Sequence, residues 1–461
     1  VTARPGTGAA ETIGGNVERR RAAVGAVASV ALLVPTLAAC QGDGEVTPPP
    51  TPPSTAAAAD LTLGTYGMPQ AEVEALVSET AELNEATETR QVQVQSSDSS
   101  LREAVAAGEA LPDLFFASNS DLAYLDGQDL IEPVDSYMVA RNVDFGDTLS
   151  YDGVKAFTVN DRLACMPYSI DPLVMFYNTA LVDFDAMEAE GLPVPSSGRW
   201  GLEELEAAAR SASDPEAGTK GLYVGPTLEQ LAPFVLSGGG SVFDDQTPPT
   251  STALSEESSV SALTQALQVL REPQITLTAD ELAEADAMEW FTSGRLGMIM
   301  APRSAVPALR AVEGLDFDVI FPPSVDERAT VGTAGGICMS LDSDAKEAAA
   351  DTIVDLTSPD AMAGVTEAGY IVPVLLEVAQ SEAYQQTDQL PEHASVWTNN
   401  LRYTYFLPAV PDEAALDAAV APYLDALLND AILNEETILS TVTELDEASR
   451  LLLGGSAAEE E

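Results

Sequence analysis

Residues 61–116 read LTLGTYGMPQAEVEALVSETAELNEATETRQVQVQSSDSSLREAVAAGEALPDLFF. Alternating apolar positions over 61–66 predict a strand, and the spacing of apolar residues over 69–85 predicts an amphipathic helix. A strand at 92–94, a helix at 101–107 and a strand at 114–116 continue the series. Strands that alternate with helices imply α/β layers, with sheets covered on both faces.

The same reading extends to the rest of the chain. Residues 156–158 and 163–166, separated by Asn160 and Asp161, predict a hairpin that leads to Pro167, where a boundary is expected because proline donates nothing to a ladder. Residues 173–177 predict a strand, with Asn178 capping the following helix. Helices are expected at 202–211, 228–236, 260–270, 279–291, 414–428 and 435–453. Strands are expected at 297–300, 317–320 and 330–340. No short internal repeat is visible.

The chain of 461 residues is 46% hydrophobic, enough to bury substantial cores. It carries 20 Lys+Arg against 74 Asp+Glu, a net charge of −54, which opposes binding to nucleic acid or to an anionic bilayer surface. Only Lys155, Lys220 and Lys346 are lysines, and lysine-poor acidic surfaces suit saline surroundings, although a need for solubility explains the same composition. Residues 1–39 differ in kind, with four arginines against two glutamates. Arg19, Arg20 and Arg21 precede the small and aliphatic run 22–37, the pattern of a signal peptide. The run ends in Leu37-Ala38-Ala39-Cys40, a match to the bacterial lipobox, so Cys40 is the expected lipidated first residue after cleavage. The alternatives are an ordinary signal peptide with an incidental cysteine and, for the route, Sec or twin-arginine export. Residues 41–59 are Pro-rich and lack an apolar face, as expected of a semi-rigid tether. Residues 456–461 form an acidic tail.

Seven motifs, in order, resemble those of the extracellular solute-binding proteins of carbohydrate ABC importers, the maltose-binding-like family. They are PDLFFAS (112–118), MPYSIDPLVMFYNTALV (166–182), RWGLEEL (199–205), GGGSVFDD (238–245), WFTSGRLGMIMAP (290–302), GTAGGICMS (332–340) and TSPDAMAGVTEAGYIVPV (357–374). The resemblance implies a two-lobe, type II flytrap fold with an interlobe cleft and several hinge crossings. Lobe 1 is expected to take 60–169 plus 336–395, and lobe 2 170–335 plus 396–455. It implies a monomer on the outer face of the cytoplasmic membrane, held by its lipid, that delivers a sugar or related small polar solute to a permease. Cys165 and Cys338 lie near crossings that are neighbours in similar proteins, which implies a disulfide between them, with two buried thiols as the alternative.

Sugar sites combine aromatic faces with planar polar groups. By similarity, Tyr177 is the expected aromatic platform and Asp171 an acceptor of hydroxyl hydrogens or a hinge carboxylate. Tyr66, Ser118 and Asn119 stand at strand ends where α/β sheets bind ligands, although Ser118 and Asn119 also suit a helix cap. Gly335 and Gly336 allow close approach to ligand or shape a turn. Arg303 stands where relatives usually place an aromatic ring, which opens the reading to an anionic solute such as a sugar acid or glycerol phosphate ester, or to a plain surface charge. Trp397 and Tyr405, with Tyr403 and Phe406, are a further aromatic group expected at the cleft or in the core, and Trp200 and Trp290 are expected to pack.

Enzyme signals are poor. His393 is the only histidine, no G-x-S-x-G elbow is evident, and two cysteines with one histidine fit no zinc spacing. No cofactor and no metal are expected. A secreted glycoside hydrolase is the catalytic alternative, and would require two carboxylates facing one sugar.

Overall fold

A computed structural model describes residues 59–454, apart from 147, 197–198, 247 and 431–433. The signal segment 1–39, Cys40, the tether through 58 and the tail 456–461 lie outside the described residues. The strands begin with β1 (Ala59–Tyr66), β2 (Arg90–Ser97), β3 (Leu114–Ser118) and β4 (Ile131–Glu132). A small hairpin of β5 (Thr158–Val159) and β6 (Arg162–Leu163) follows, then β7 (Met166–Pro172), β8 (Val174–Asn178) and β9 (Lys220–Tyr223). The series closes with β10 (Leu296–Ala301), β11 (Phe317–Ile320), β12 (Thr330–Ser340), β13 (Val372–Pro373) and β14 (Thr404–Phe406).

The first sheet has the order β13-β7-β12-β3-β1-β2, with β4 and β14 also paired to β12. β1 runs parallel to both β2 and β3, which requires crossovers. These are supplied by helices α1 (Gln70–Ala86) and α2 (Leu101–Ala106). Ser100 and Glu103 close a reciprocal capping box at the start of α2. β12 runs antiparallel to β3 and to β7. The second sheet has the order β11-β8-β10-β9. Its strands carry apolar residues on both faces, as expected where both are covered: Leu173, Met175, Met298 and Met300 enter one core with Phe234, Leu263 and Val442. On the opposite face, Val174, Phe176, Phe317 and Val319 join the core of the first sheet, with Leu63, Phe115 and Ile337. The result is a bilobed α/β fold, with strands passing from one sheet to the other at Leu173 and through 321–329, and the chain leaving β14 for the C-terminal helices through 407–412.

Several local expectations give way to tertiary context. Pro167 marks no boundary but lies inside β7, and the β12–β7 register shifts between Gly335 and Gly336 so that Tyr168 is skipped. This bulge absorbs the missing donor. Asn178 caps no helix: its Oδ1 accepts from Ala180 N at 2.9 Å in a turn, and Asp183 caps the helix Phe184–Glu190. The helix expected over 279–291 is two short helices, Ala279–Leu282 and Ala287–Thr292, because Asp286 accepts from Glu289 N and restarts the chain. β12 stays whole in the first sheet and takes β14 with it, so 330–335 and 404–406 do not belong with the second sheet. An eleven-residue strand gripped on both edges does not divide between layers. Among the described residues, no helix is long and apolar enough to cross a membrane.

Candidate functional site

β1 and β3 end side by side, and their last residues, Tyr66 and Ser118, open onto a cavity of about 1160 Å³. Ligands in open α/β sheets bind at such carboxyl ends. β7 contributes Tyr168, Ser169 and Asp171, and β12 contributes Thr333 and Gly335. Glu72 of α1 and Arg102 of α2 form one flank. Asp412, Glu413 and Asp417, at the start of the helix Glu413–Asn429, form the facing one. A smaller recess of about 200 Å³ shares Thr333, Glu413 and Asp417 and continues to Thr227, Glu229 and Phe243 of the second lobe. Phe116, Tyr66, Tyr168 and Tyr370 supply ring surface.

The electrostatics are one-sided. Burial, aided by the nearby Asp171, pushes the Glu72 carboxyl up to about 7, and the side chain is only 7% exposed. Asp171 is also raised to about 7 by burial, although its carboxylate accepts backbone N–H groups from Arg303 at 2.6 Å and Ser304 at 3.4 Å. Glu229 and Asp417 are raised by burial and by Glu413. Tyr168, 1% exposed, has a hydroxyl with no hydrogen-bond partner. The cation on the wall, Arg102, is already engaged: it donates to Asp121 at 2.9 Å, to the Ser120 carbonyl at 2.6 Å and to the Pro411 carbonyl at 2.8 Å. The arrangement can bind through aromatic faces and hydrogen-bond acceptors.

A family model described as bacterial extracellular solute-binding protein matches residues 53–392. This chain belongs to that family. Its members bind solutes rather than transform them. No curated protein sequence matches significantly. Among solved structures, the protein resembles an ABC substrate-binding protein of Listeria monocytogenes in complex with cycloalternan, at 20% identity and TM-score 0.70, over 86% of this chain and 99% of that one. It also resembles the GacH receptor of Streptomyces glaucescens, solved unliganded and with acarbose, at 16% identity and TM-score 0.67, over 87% and 100% of the two chains. A Thermotoga lettingae ABC transporter solute-binding protein bound with alpha-D-tagatose aligns at 20% identity and TM-score 0.64, over 86% and 100%. At these identities the likeness is one of fold.

In this solute-binding protein, Tyr66, Ser118, Asp171 and Gly335 come together at the main cavity. The other expected residues do not. Ser118 also serves as the cap it resembles, with its N–H donating to Asp121 at 3.1 Å, while Asn119 is buried and its Oδ1 accepts from Ala334 N at 2.8 Å. Gly336 is packed where a Cβ would lie 2.7 Å from the Phe157 ring. Tyr177 lines a separate depression, where its hydroxyl donates to Asp318 at 3.3 Å. β8 leaves the crossing at Leu173 and runs outward, so four residues carry Tyr177 roughly 13 Å away. Arg303 is no surface charge and does not reach the cleft: it is fully buried, stacked on Tyr384 at 4.3 Å and Trp397 at 5.2 Å. Trp397 is buried as well, and donates to the Pro172 carbonyl at 3.2 Å. Tyr405 is 50% exposed on β14 and lines neither recess of the cleft.

Cys165 and Cys338 are joined in a disulfide. Asp318, Glu392 and His393 bring metal-ligand types within 4.8 Å of one another. However, His393 Nδ1 lies 2.5 Å from Asp318 Oδ2, a hydrogen bond rather than the roughly 3.3 Å separating two ligands of one zinc ion. Sequence reasoning missed Glu72, Arg102 and Tyr168. A signal for Glu72 exists, since it precedes Leu76 and Thr80 at intervals of four on the buried stripe of α1.

Proposed function

We propose that this protein captures a sugar or closely related small polar solute in the cleft between its lobes and delivers it to an ABC permease, from a lipid anchor at Cys40 on the outer face of the cytoplasmic membrane. The observation that carries this reading is the main cavity, where Tyr66, Phe116, Tyr168 and Tyr370 offer ring surface and Ser118, Asp171 and Thr333 offer polar groups. That combination suits the C–H faces and hydroxyls of a sugar. The lobes divide near the crossings at 173, 321–329 and 407–412, and a ligand touching both lobes favours the closed state over the open one. The anionic solute left open by Arg303 is disfavoured by that residue's burial and by the acidic lining. A thermal-shift panel of mono- and disaccharides, polyols and uronates tests the reading. A ligand that binds only the native state raises the melting temperature, so a rise with a carbohydrate is expected, and a panel without one would sink the proposal.

A further inference from the structure

The cleft's charge is unbalanced in a way that a neutral sugar does not answer. Glu72 is only 7% exposed and lines the cavity, its carboxylate without a protein hydrogen bond among the described residues, near the unpartnered Tyr168 hydroxyl and Asp171. Glu79, farther along α1, adds negative charge behind Tyr168. A largely buried carboxylate with no paired cation and no protein donor carries a desolvation cost. The candidate cations do not relieve it. Arg102 is committed to Asp121 and to two backbone carbonyls. The Arg303 guanidinium stacks on Tyr384 and Trp397 and donates to the Tyr384 carbonyl; its charge is felt by Asp171, which it contacts only through its backbone N–H, and it does not reach Glu72. Across the cleft, Glu229, Glu413 and Asp417 crowd together and repel one another. The rings of Tyr66, Phe116 and Tyr168 complete a wall of the kind that attracts cations.

We propose that the solute bears a protonated amine, as in an amino sugar, and that its ammonium group seats against the Glu72 carboxylate between Tyr168 and Asp171. The ammonium donates to Glu72 and to the open oxygen lone pairs of Asp171 and Tyr168, and the rings cover its flank. This rests on the reading of the cleft as the solute site, and goes beyond it by naming the charge of the solute.

The test is isothermal titration of the purified protein, at one ionic strength and neutral pH, with matched sets: hydroxyl sugars, their amino derivatives and their uronic acids, with putrescine as a cation that is not a sugar. The amino member of a set is expected to bind about tenfold or more tightly than its hydroxyl parent, as befits a charge-assisted hydrogen bond. Glu72→Gln is expected to abolish that advantage, so that the amino member and its hydroxyl parent bind alike. Asp171→Asn gives a second measure should the first variant fold poorly. An amino sugar that binds no better than its parent overturns the cationic inference but leaves the carbohydrate reading standing. Putrescine binding that depends on Glu72, with no sugar bound, upholds the cation and removes the carbohydrate. Absence of binding by every amine also overturns it.

Discussion

Glu72 is a carboxyl group kept in its less stable form by the fold. Its ordinary value of 4.5 rises to about 7 on folding, so the native state holds the proton more tightly than the unfolded chain does. Native stability from this group is therefore greatest below pH 4.5, declines as pH rises through the interval, and is lost above about 7. A shift of this size corresponds to about 3 kcal/mol. Glu72→Gln, which mimics the protonated form, is expected to stabilise the protein by roughly 2–3 kcal/mol at pH 8 and to change little at pH 4.5. Urea unfolding at the two pH values checks this, and equal effects at both would contradict the assignment. A side chain whose replacement raises stability but lowers ligand affinity has its use in the ligand, the usual trade between activity and stability. At this scale sequence reasoning was strongest where strands end. Tyr66 and Ser118 could be placed by position alone, whereas the roles of Arg303, Tyr177 and Trp397 depended on which way a buried side chain turned.

At the scale of elements, the disulfide ties the residue before β7 to Cys338 near the end of β12, and the two strands are neighbours in the first sheet. The two cysteines are 173 residues apart, so the bridge closes a loop that contains the whole second sheet. In the chain-entropy model such a closure contributes roughly 5 kcal/mol. The double variant Cys165→Ala with Cys338→Ala is expected to lose about that much in urea unfolding while still binding solute, because neither cysteine lines the cleft. Unchanged stability would refute the claim. Strands and long helices were legible because their apolar periods repeat, as in β10 and the helix Glu435–Leu453. The break at Asp286 and the bulge at Pro167 were not: the first turns on a local cap bond, Glu289 N to Asp286, competing with continuation of the helix, and the second on how β12 pairs with a strand that lacks a donor at Pro167.

For the whole molecule, the net charge of −54 is the dominant long-range term. Many of the cations that exist are spent in ion pairs, among them Arg90 with Asp355, Arg141 with Asp351 and Lys346 with Glu132. The surplus carboxylates repel across the surface, and added salt shortens the reach of that repulsion from about 10 Å at 0.1 M to about 3 Å at 1 M. The melting temperature of the free protein is expected to rise between roughly 0.1 M and 1 M sodium chloride. Differential scanning calorimetry reads this directly, and a flat or falling curve would show that self-repulsion is not limiting. The same salt is expected to weaken binding of an amine-bearing solute less than surface pairing would suggest, because Glu72 is shielded from it.

The order of strands and helices, the acidic balance and the motif series were determined by the sequence itself, since periodicity and composition are local or additive properties. The placement of β12 with the first sheet, the gathering of Glu72, Tyr168 and Asp171 around one cavity, and the withdrawal of Arg303 into the interior were decided only by tertiary structure. These depend on which surfaces meet when two cores close. Burial changes the energy of a charge by kilocalories, and no residue carries its burial in its name.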